Sequence, residues 1–261
     1  MQSLSIASTG MLAQQLNVEV ISNNIANMST SGFKRQRAEF QDLIYQDLRR
    51  AGSSSSDAGT VVPTGIQIGM GVQTGSVYRV MSQGNFDNTE NPLDLAIQGN
   101  GFFHIQMPNG DDAYTRAGNF NRSPDGQLVT SDGYVLQPGI TIPEGATSIS
   151  INATGDVEVT LDGQTTPTTV GTIDLTIFQN DAGLSPIGDN LYMETVASGS
   201  GSTGNPGGTG YGSLLQGYLE TSNVDSVAEI TSLITAQRAY EMNSKVITTS
   251  DEMMSVTSNL R

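Results

Sequence analysis

Apolar residues recur every seven positions at both ends of the chain. Leu4, Met11, Val18 and Ile25 form one row near the start, and Leu233, Tyr240, Ile247 and Met254 form another near the end. A seven-residue apolar repeat asks a helix to pair along its length with another helix. The first segment, from about Ser3 to Met28, carries a second row of Ala7, Gln14, Ile21 and Met28, in which only Gln14 is polar. The two rows predict a strong seam, and Gly32 after Ser29-Thr30-Ser31 predicts its stop.

The last segment is predicted to begin after Ser222-Asn223, either of which can cap a helix. Asp225 and Glu229 then suit its positive end. Its second row, Ala236, Asn243, Ser250 and Thr257, is small or polar throughout. Such a row allows close approach but contributes little burial, so this helix needs a stronger partner, and the N-terminal seam is one candidate. Within residues 1–33 the only charged side chain is Glu19. An ordinary surface helix carries many i,i+4 ion pairs; an uncharged polar face suits contact with protein on several sides. Gly10, Val18, Val20, Ile21 and Ile25 also weaken intrinsic helicity. The ends are therefore expected to be marginal in an isolated chain and to order on assembly. An intramolecular hairpin in a monomer accounts for the same repeats and stays open as an alternative.

Between the ends the pattern changes period. Lys34, Arg35, Arg37, Arg49 and Arg50 concentrate basic charge in a short stretch, read either as a solvated loop or as contacts to acidic neighbouring subunits. Ala51 to Gly59, with four successive serines, reads as a flexible insertion. Gly65, Gly69, Gly71 and Gly75 then punctuate an extended arm. From about Ser76 to Leu219 the signals are β. Val157, Val159 and Leu161 alternate before Asp162-Gly163, Ile173, Leu175 and Ile177 alternate likewise, and Phe102-Phe103-His104-Ile105 precedes the turn pair Asn109-Gly110. The expected fold class is α+β: a terminal α-helical coiled coil from both ends, with a central, mainly antiparallel β domain. The expected divisions are 1–33 and 220–261 for the helices, 34–75 for a linking arm with an insertion, and 76–219 for the β domain.

Composition narrows the function. A formal net charge of −15 lacks the basic footprint that nucleic-acid binding requires. Without cysteine there are no disulfides, thiolate metal sites or cysteine nucleophiles. No apolar run is long enough to insert in a membrane. The first basic residue is Lys34, so a cleaved secretory signal is not expected. His104 is the sole histidine and sits in a strand-like run, which leaves a Ser-His-Asp triad or a zinc site without partners. Gly69-Met70-Gly71 followed by Gly75 misses the dinucleotide spacing. Asn121, Ser123, Asp125, Gly126 and Asp132 approximate a calcium loop, but Asn opens it, Asp closes it, and a Ser-Pro-Asp-Gly turn explains the same residues. Asp94, Asp111 and Asp112 could supply an acid–base pair only if something brought two of them together. No catalytic residue, cofactor or metal ligand is expected. The competing class, a monomeric cell-envelope β enzyme or carbohydrate-binding protein, would need a pocket with convergent polar groups.

Several strings resemble one family. Ser8-Thr9-Gly10-Met11, Ser22-Asn23-Asn24-Ile25-Ala26-Asn27 and Gly32-Phe33-Lys34 resemble the N-terminal signature of bacterial flagellar rod and hook proteins. Ala236-Gln237-Arg238-Ala239-Tyr240-Glu241 with Asn243-Ser244-Lys245 resembles the matching C-terminal end. Gly99-Asn100-Gly101-Phe102-Phe103 and Tyr114-Thr115-Arg116-Ala117-Gly118 resemble the shared β-domain motifs. Length, segment order and the stretch Leu48 to Gly69 resemble subunits of the distal part of the rod, with a proximal rod subunit as the alternative. The resemblance implies a structural, non-enzymatic subunit. It implies a homo-oligomeric helical tube crossing the periplasm in the basal body, stiff enough to act as a drive shaft, with terminal helices inside and β domains outside. It also implies export by the flagellar type III apparatus, and as partners other rod proteins, the hook protein and the surrounding P- and L-ring proteins.

Overall fold

The computed structural model describes residues 2–52, 64–164 and 166–259, with the side chains of 257–259 excepted. The chain is α+β and divides into two compact units. The first comprises Met1–Ile25, Gln36–Tyr78 and Asp225–Arg261; the second comprises Ala26–Arg35 and Arg79–Val224.

Helices α1 (Gln2–Ala26) and α2 (Ser226–Asn259) belong to the first unit. The cap of α2 corrects the sequence expectation: Asp225, not Ser222 or Asn223, accepts from the backbone N–H groups of Val227 and Ala228, at 3.0 and 3.2 Å. A carboxylate there satisfies orphan donors and meets the positive end of the helix dipole. Four strands accompany the helices: β1 (Gln36–Asp42), β2 (Tyr45–Arg49), β3 (Ile66–Gly69) and β4 (Val72–Arg79). β1 pairs with β4, and β2 with β3 in an antiparallel ribbon. The stretch expected as an extended arm is thus β-paired, apart from residues 53–63, where most of the serine-rich insertion lies outside the described residues. Gly71, at φ +121°, lets the chain pass against α1: a Cβ there would lie 2.2 Å from Thr9 Oγ1. The same hydroxyl accepts from the Val72 N–H at 3.4 Å.

The second unit is antiparallel β, as the alternating pattern predicts. Phe102–Gln106 pairs with Asp112–Thr115 across the Asn109-Gly110 turn, and also with Val135–Leu136 and Leu175–Ile177. Gly110 takes φ +87°, which favours glycine in such a turn. Ala146–Ile151, Asp156–Leu161 and Thr168–Thr172 form a separate three-stranded sheet. Val157 and Val159 are fully buried while Glu158 between them is not. Leu95, Ile97, Phe103, Ile105, Phe120 and Leu175 anchor one continuous core. Phe103 and Phe120 meet edge to face at 5.1 Å, a geometry that adds roughly 1 kcal/mol beyond area burial.

Candidate functional site

The two helices meet through a row that the sequence marks as weak. Asn24 Nδ2 donates to Glu229 at 3.3 Å and to the Gln36 carbonyl at 2.9 Å, while its Oδ1 accepts from the Gln36 N–H at 2.8 Å. A Cβ on Gly10 would lie 2.9 Å from Asn243 Nδ2. These two contacts make the pair antiparallel. Glu229, Ala236 and Ser250 are buried and Asn243 is half-buried, so the small and polar row of α2 forms the contact.

The large apolar row is displaced to the flanks. Leu233 and Ile247 are half-buried, while Tyr240 is 44% and Met254 42% exposed. Gly10 leaves room for the Asn243 side chain between the helices, so the row that holds Asn243 faces α1 and the large apolar row turns to the sides. On α1, Ala7 and Ile21 are buried and Leu4, Met11, Val18 and Ile25 are half-buried. Met28 lies beyond the end of α1 and is exposed, which corrects its placement in the seam. Val18 and Tyr240 do come together, along a surface groove of about 520 Å³ with Gln15, Glu19, Gln237 and Glu241. Val227, Ile230, Ile234, Met242, Val246 and Met253 add further exposed apolar surface on α2.

A second arrangement, inside the other unit, joins the chain just after α1 to the chain just before α2. Lys34 Nζ lies 2.5 Å from Glu220 Oε1 and donates to the Ser82 carbonyl at 2.9 Å. Arg116 Nη1 lies 3.3 Å from Glu220 Oε2, and the Gly84 N–H donates to Oε1 at 2.9 Å. Lys34 and Glu220 are each 1% exposed. Burial pulls the Lys34 ammonium below its ordinary range more strongly than Glu220 restores it, and burial likewise lowers Arg116. Asp181 is pushed up by burial, against the opposing pull of Arg116 and Lys34. Asn223 reinforces the junction: it accepts from the Arg35 N–H at 2.7 Å and donates to the Val80 carbonyl at 2.8 Å.

Lys34 therefore departs from both sequence readings. It is neither a solvated charge nor available to a neighbour, because a buried carboxylate holds it. Arg35 is half-buried, with its backbone bound to Asn223. Arg37, Arg49 and Arg50 are exposed, and Arg50 lies 3.7 Å from Asp47, a surface pairing of little energetic weight. The calcium-like residues form a hairpin turn: Asn121 pairs with Val129, and the Gly126 N–H donates to the Ser123 carbonyl at 2.9 Å. Among the described residues no three His, Cys, Asp or Glu side chains gather as metal ligands. His104 stacks on Tyr114 at 5.4 Å, with Nε2 2.9 Å from Asp112.

With this geometry in place, comparison with known proteins decides the family. Residues 4–34 match the flagella basal body rod protein model, 96–159 the flagellar hook protein FlgE/F/G D1 domain, and 215–260 the flagellar basal body rod FlgEFG protein C-terminal model. A flagellar basal-body rod protein FlgG of Caulobacter vibrioides is 63% identical over the full length of both chains. The protein of that name in Agrobacterium fabrum is 52% identical over 99% of this chain and 98% of its own. That of Bacillus subtilis is 42% identical over 100% and 99%. The chain belongs to the flagellar basal-body rod protein family.

For this rod-family chain the motifs that carried the resemblance acquire a physical reading. Gly32, at φ +71°, passes so close to Ala117 that a Cβ would lie 2.6 Å from its backbone nitrogen. A Cβ on Gly118 would lie 1.6 Å from the Leu95 carbonyl oxygen. Arg116 also donates to the Gly99 carbonyl at 2.7 Å. The Gly-Phe-Lys, Thr-Arg-Ala-Gly and Gly-Asn-Gly-Phe-Phe strings thus converge around Glu220. Sequence reasoning missed that residue; its only signal is a lone carboxylate ending the short β run Tyr218-Leu219.

Proposed function

We propose that the chain is a structural, non-catalytic subunit of the distal part of the flagellar rod, where many copies polymerise into a helical tube. The terminal helices line the tube and the β domains clothe it. The tube crosses the periplasm, transmits torque as a rigid shaft towards the hook, and forms part of the export channel. Its neighbours are then identical copies, other rod proteins, the hook protein and the P- and L-ring proteins, and the type III export apparatus delivers it. Full-length identity to proteins named for the basal-body rod supports the place.

The observation that carries the reading is the apolar row left on the flanks of the helical pair. Tyr240, Met254, Val227 and Ile230 stay substantially exposed on a helix whose inner contact is small and polar. An isolated soluble molecule gains nothing from such a surface, whereas a subunit surrounded by copies buries it. Leu4, Met11, Val18, Ile25, Leu233 and Ile247 then pack between copies as well as within one. Arg37, Arg49 and Arg50 contact the acidic surface of neighbours.

Electron microscopy of the purified chain at high concentration tests this. Hollow tubes are expected, with helical circular-dichroism signal rising as they form. Ile25→Asp is expected to abolish polymerisation while the β signal persists, because a carboxylate would be buried without a partner. Tubes of unchanged abundance from Ile25→Asp would remove the helical rows from the interface.

A further inference from the structure

An apolar heptad repeat does not define its own alignment. Leu4, Met11, Val18 and Ile25 map onto one another on sliding by seven residues, and so do Leu233, Tyr240, Ile247 and Met254. An antiparallel pair of such helices has near-equivalent alignments about 10 Å apart. Something other than these rows must select one of them.

We propose that the polar contact row is a register key, in which Asn24–Glu229 and Gly10–Asn243 together exclude the alignment of α1 against α2 that would set Asn17 opposite Asn243. These contacts set 24 opposite 229 and 10 opposite 243. The same register sets Asn17 opposite Ala236 and Ser3 opposite Ser250, so each bulkier residue in the middle of the row faces a smaller one. A slip of one heptad sets Asn17 opposite Asn243 and Asn24 opposite Ala236. Two amides then compete for a space that Gly10 had kept open. Glu229, 6% exposed, then loses the Asn24 amide from among its partners, and taking one hydrogen bond from a buried carboxylate has a cost. Asn24 also anchors the alignment to the sheet, because its amide brackets the backbone of Gln36 at the start of β1 through two hydrogen bonds. A slip would therefore have to drag β1 along or abandon Glu229.

The key has a consequence for assembly, and this part rests on the rod-subunit reading. Because the polar row occupies the centre, the apolar rows keep a fixed axial position on the flanks of every copy. A lattice built from those flanks requires that all copies present them at the same height.

The chain contains no cysteine, so introduced pairs report alignment directly. Two double variants of the full chain serve: Asn17→Cys with Ala236→Cys, in register, and Asn17→Cys with Asn243→Cys, one heptad off. Oxidation is carried out under conditions that give the full helical circular-dichroism signal. The in-register pair is expected to cross-link at least about tenfold faster than the slipped pair. Both variants already lack the Asn17 amide, so the part of the key left in them is Asn24–Glu229; adding Asn24→Ala and Glu229→Ala is expected to bring the two rates within about threefold, because the apolar rows alone are degenerate. If the in-register preference survives that double replacement, or the slipped pair cross-links faster in the parent, the key is overturned. Only cross-links within one chain are scored, so the readout is the same for a free helical pair and for one inside a tube. A chain that never polymerises but shows the expected rates would defeat the rod-subunit reading and leave the key intact.

Discussion

At the scale of single residues, the group on which most depends is Glu220. It accepts from two buried cations and a backbone amide, so its removal leaves charges with nowhere to go. Breaking a buried pair from one side costs about 3–5 kcal/mol. Glu220→Gln is therefore expected to lower the denaturant midpoint of the β unit by an amount corresponding to that range. A loss below about 1 kcal/mol would be the ordinary surface value and would contradict the burial described here. Lys34 adds a pH signature. Its folded value lies below the ordinary 10.5, because burial outweighs Glu220. The folded chain then releases this proton before the unfolded chain does. Between the two values the unfolded state binds more protons, so stability gains as pH rises towards 10.5 and the gain ends there. In urea titrations across that alkaline window, wild type should gain relative to Lys34→Met. A difference independent of pH would mean that the ammonium is not desolvated.

At the scale of elements, the terminal helices were legible because heptads are local signals, whereas the cap was expected at Ser222 or Asn223 and lies at Asp225, which offers a direct check. Asp225→Ala should cost about 1 kcal/mol of helix-pair stability, seen as earlier loss of helical signal on heating, whereas Asn223→Ala should act through the β unit, where its amide is bound. Equal effects on both probes would undo that distinction. What the sequence did not disclose is which helical row turns inward. Apolar rows read as seams by default, yet Gly10 leaves space for the Asn243 side chain and Asn24 bonds Glu229, and the central row became the small and polar one. The strands of the β unit were readable from their period of two and their Asn-Gly and Asp-Gly turns. Pairing of β1 with β4 was not readable, because Asp42 at the end of one strand and Val72 at the start of the other lie about thirty residues apart in the chain and no local pattern encodes such a contact. Lys34 was misread for a related reason: its partner Glu220 is remote in sequence, and a cluster of cations looks solvated until the carboxylate is found.

At the scale of the whole molecule, a net charge of −15 makes identical copies repel one another, so a polymer needs contacts that overcome that repulsion. In the proposed tube, exposed apolar surface on the helices would supply one set. The β2–β3 ribbon presents another: Ile44 is 84% and Leu48 59% exposed, with Tyr45 and Ile66 also at the surface and Arg49 and Arg50 beside them. A two-stranded ribbon with apolar side chains in water is marginal by itself and gains from being covered. Its basic end suits the acidic surface of another copy, and a contact of that kind away from the helical rows would resist sliding between subunits when a tube bends. Ile44→Lys combined with Leu48→Lys removes no core packing, because both side chains already face solvent, so folding should be unaffected within about 0.5 kcal/mol. If the ribbon couples neighbours, tubes of this variant should still form through the helices but curve measurably, with a shorter persistence length in electron micrographs. Straight tubes as stiff as wild type would assign rigidity to the helices and the β body alone and leave the ribbon without a mechanical part.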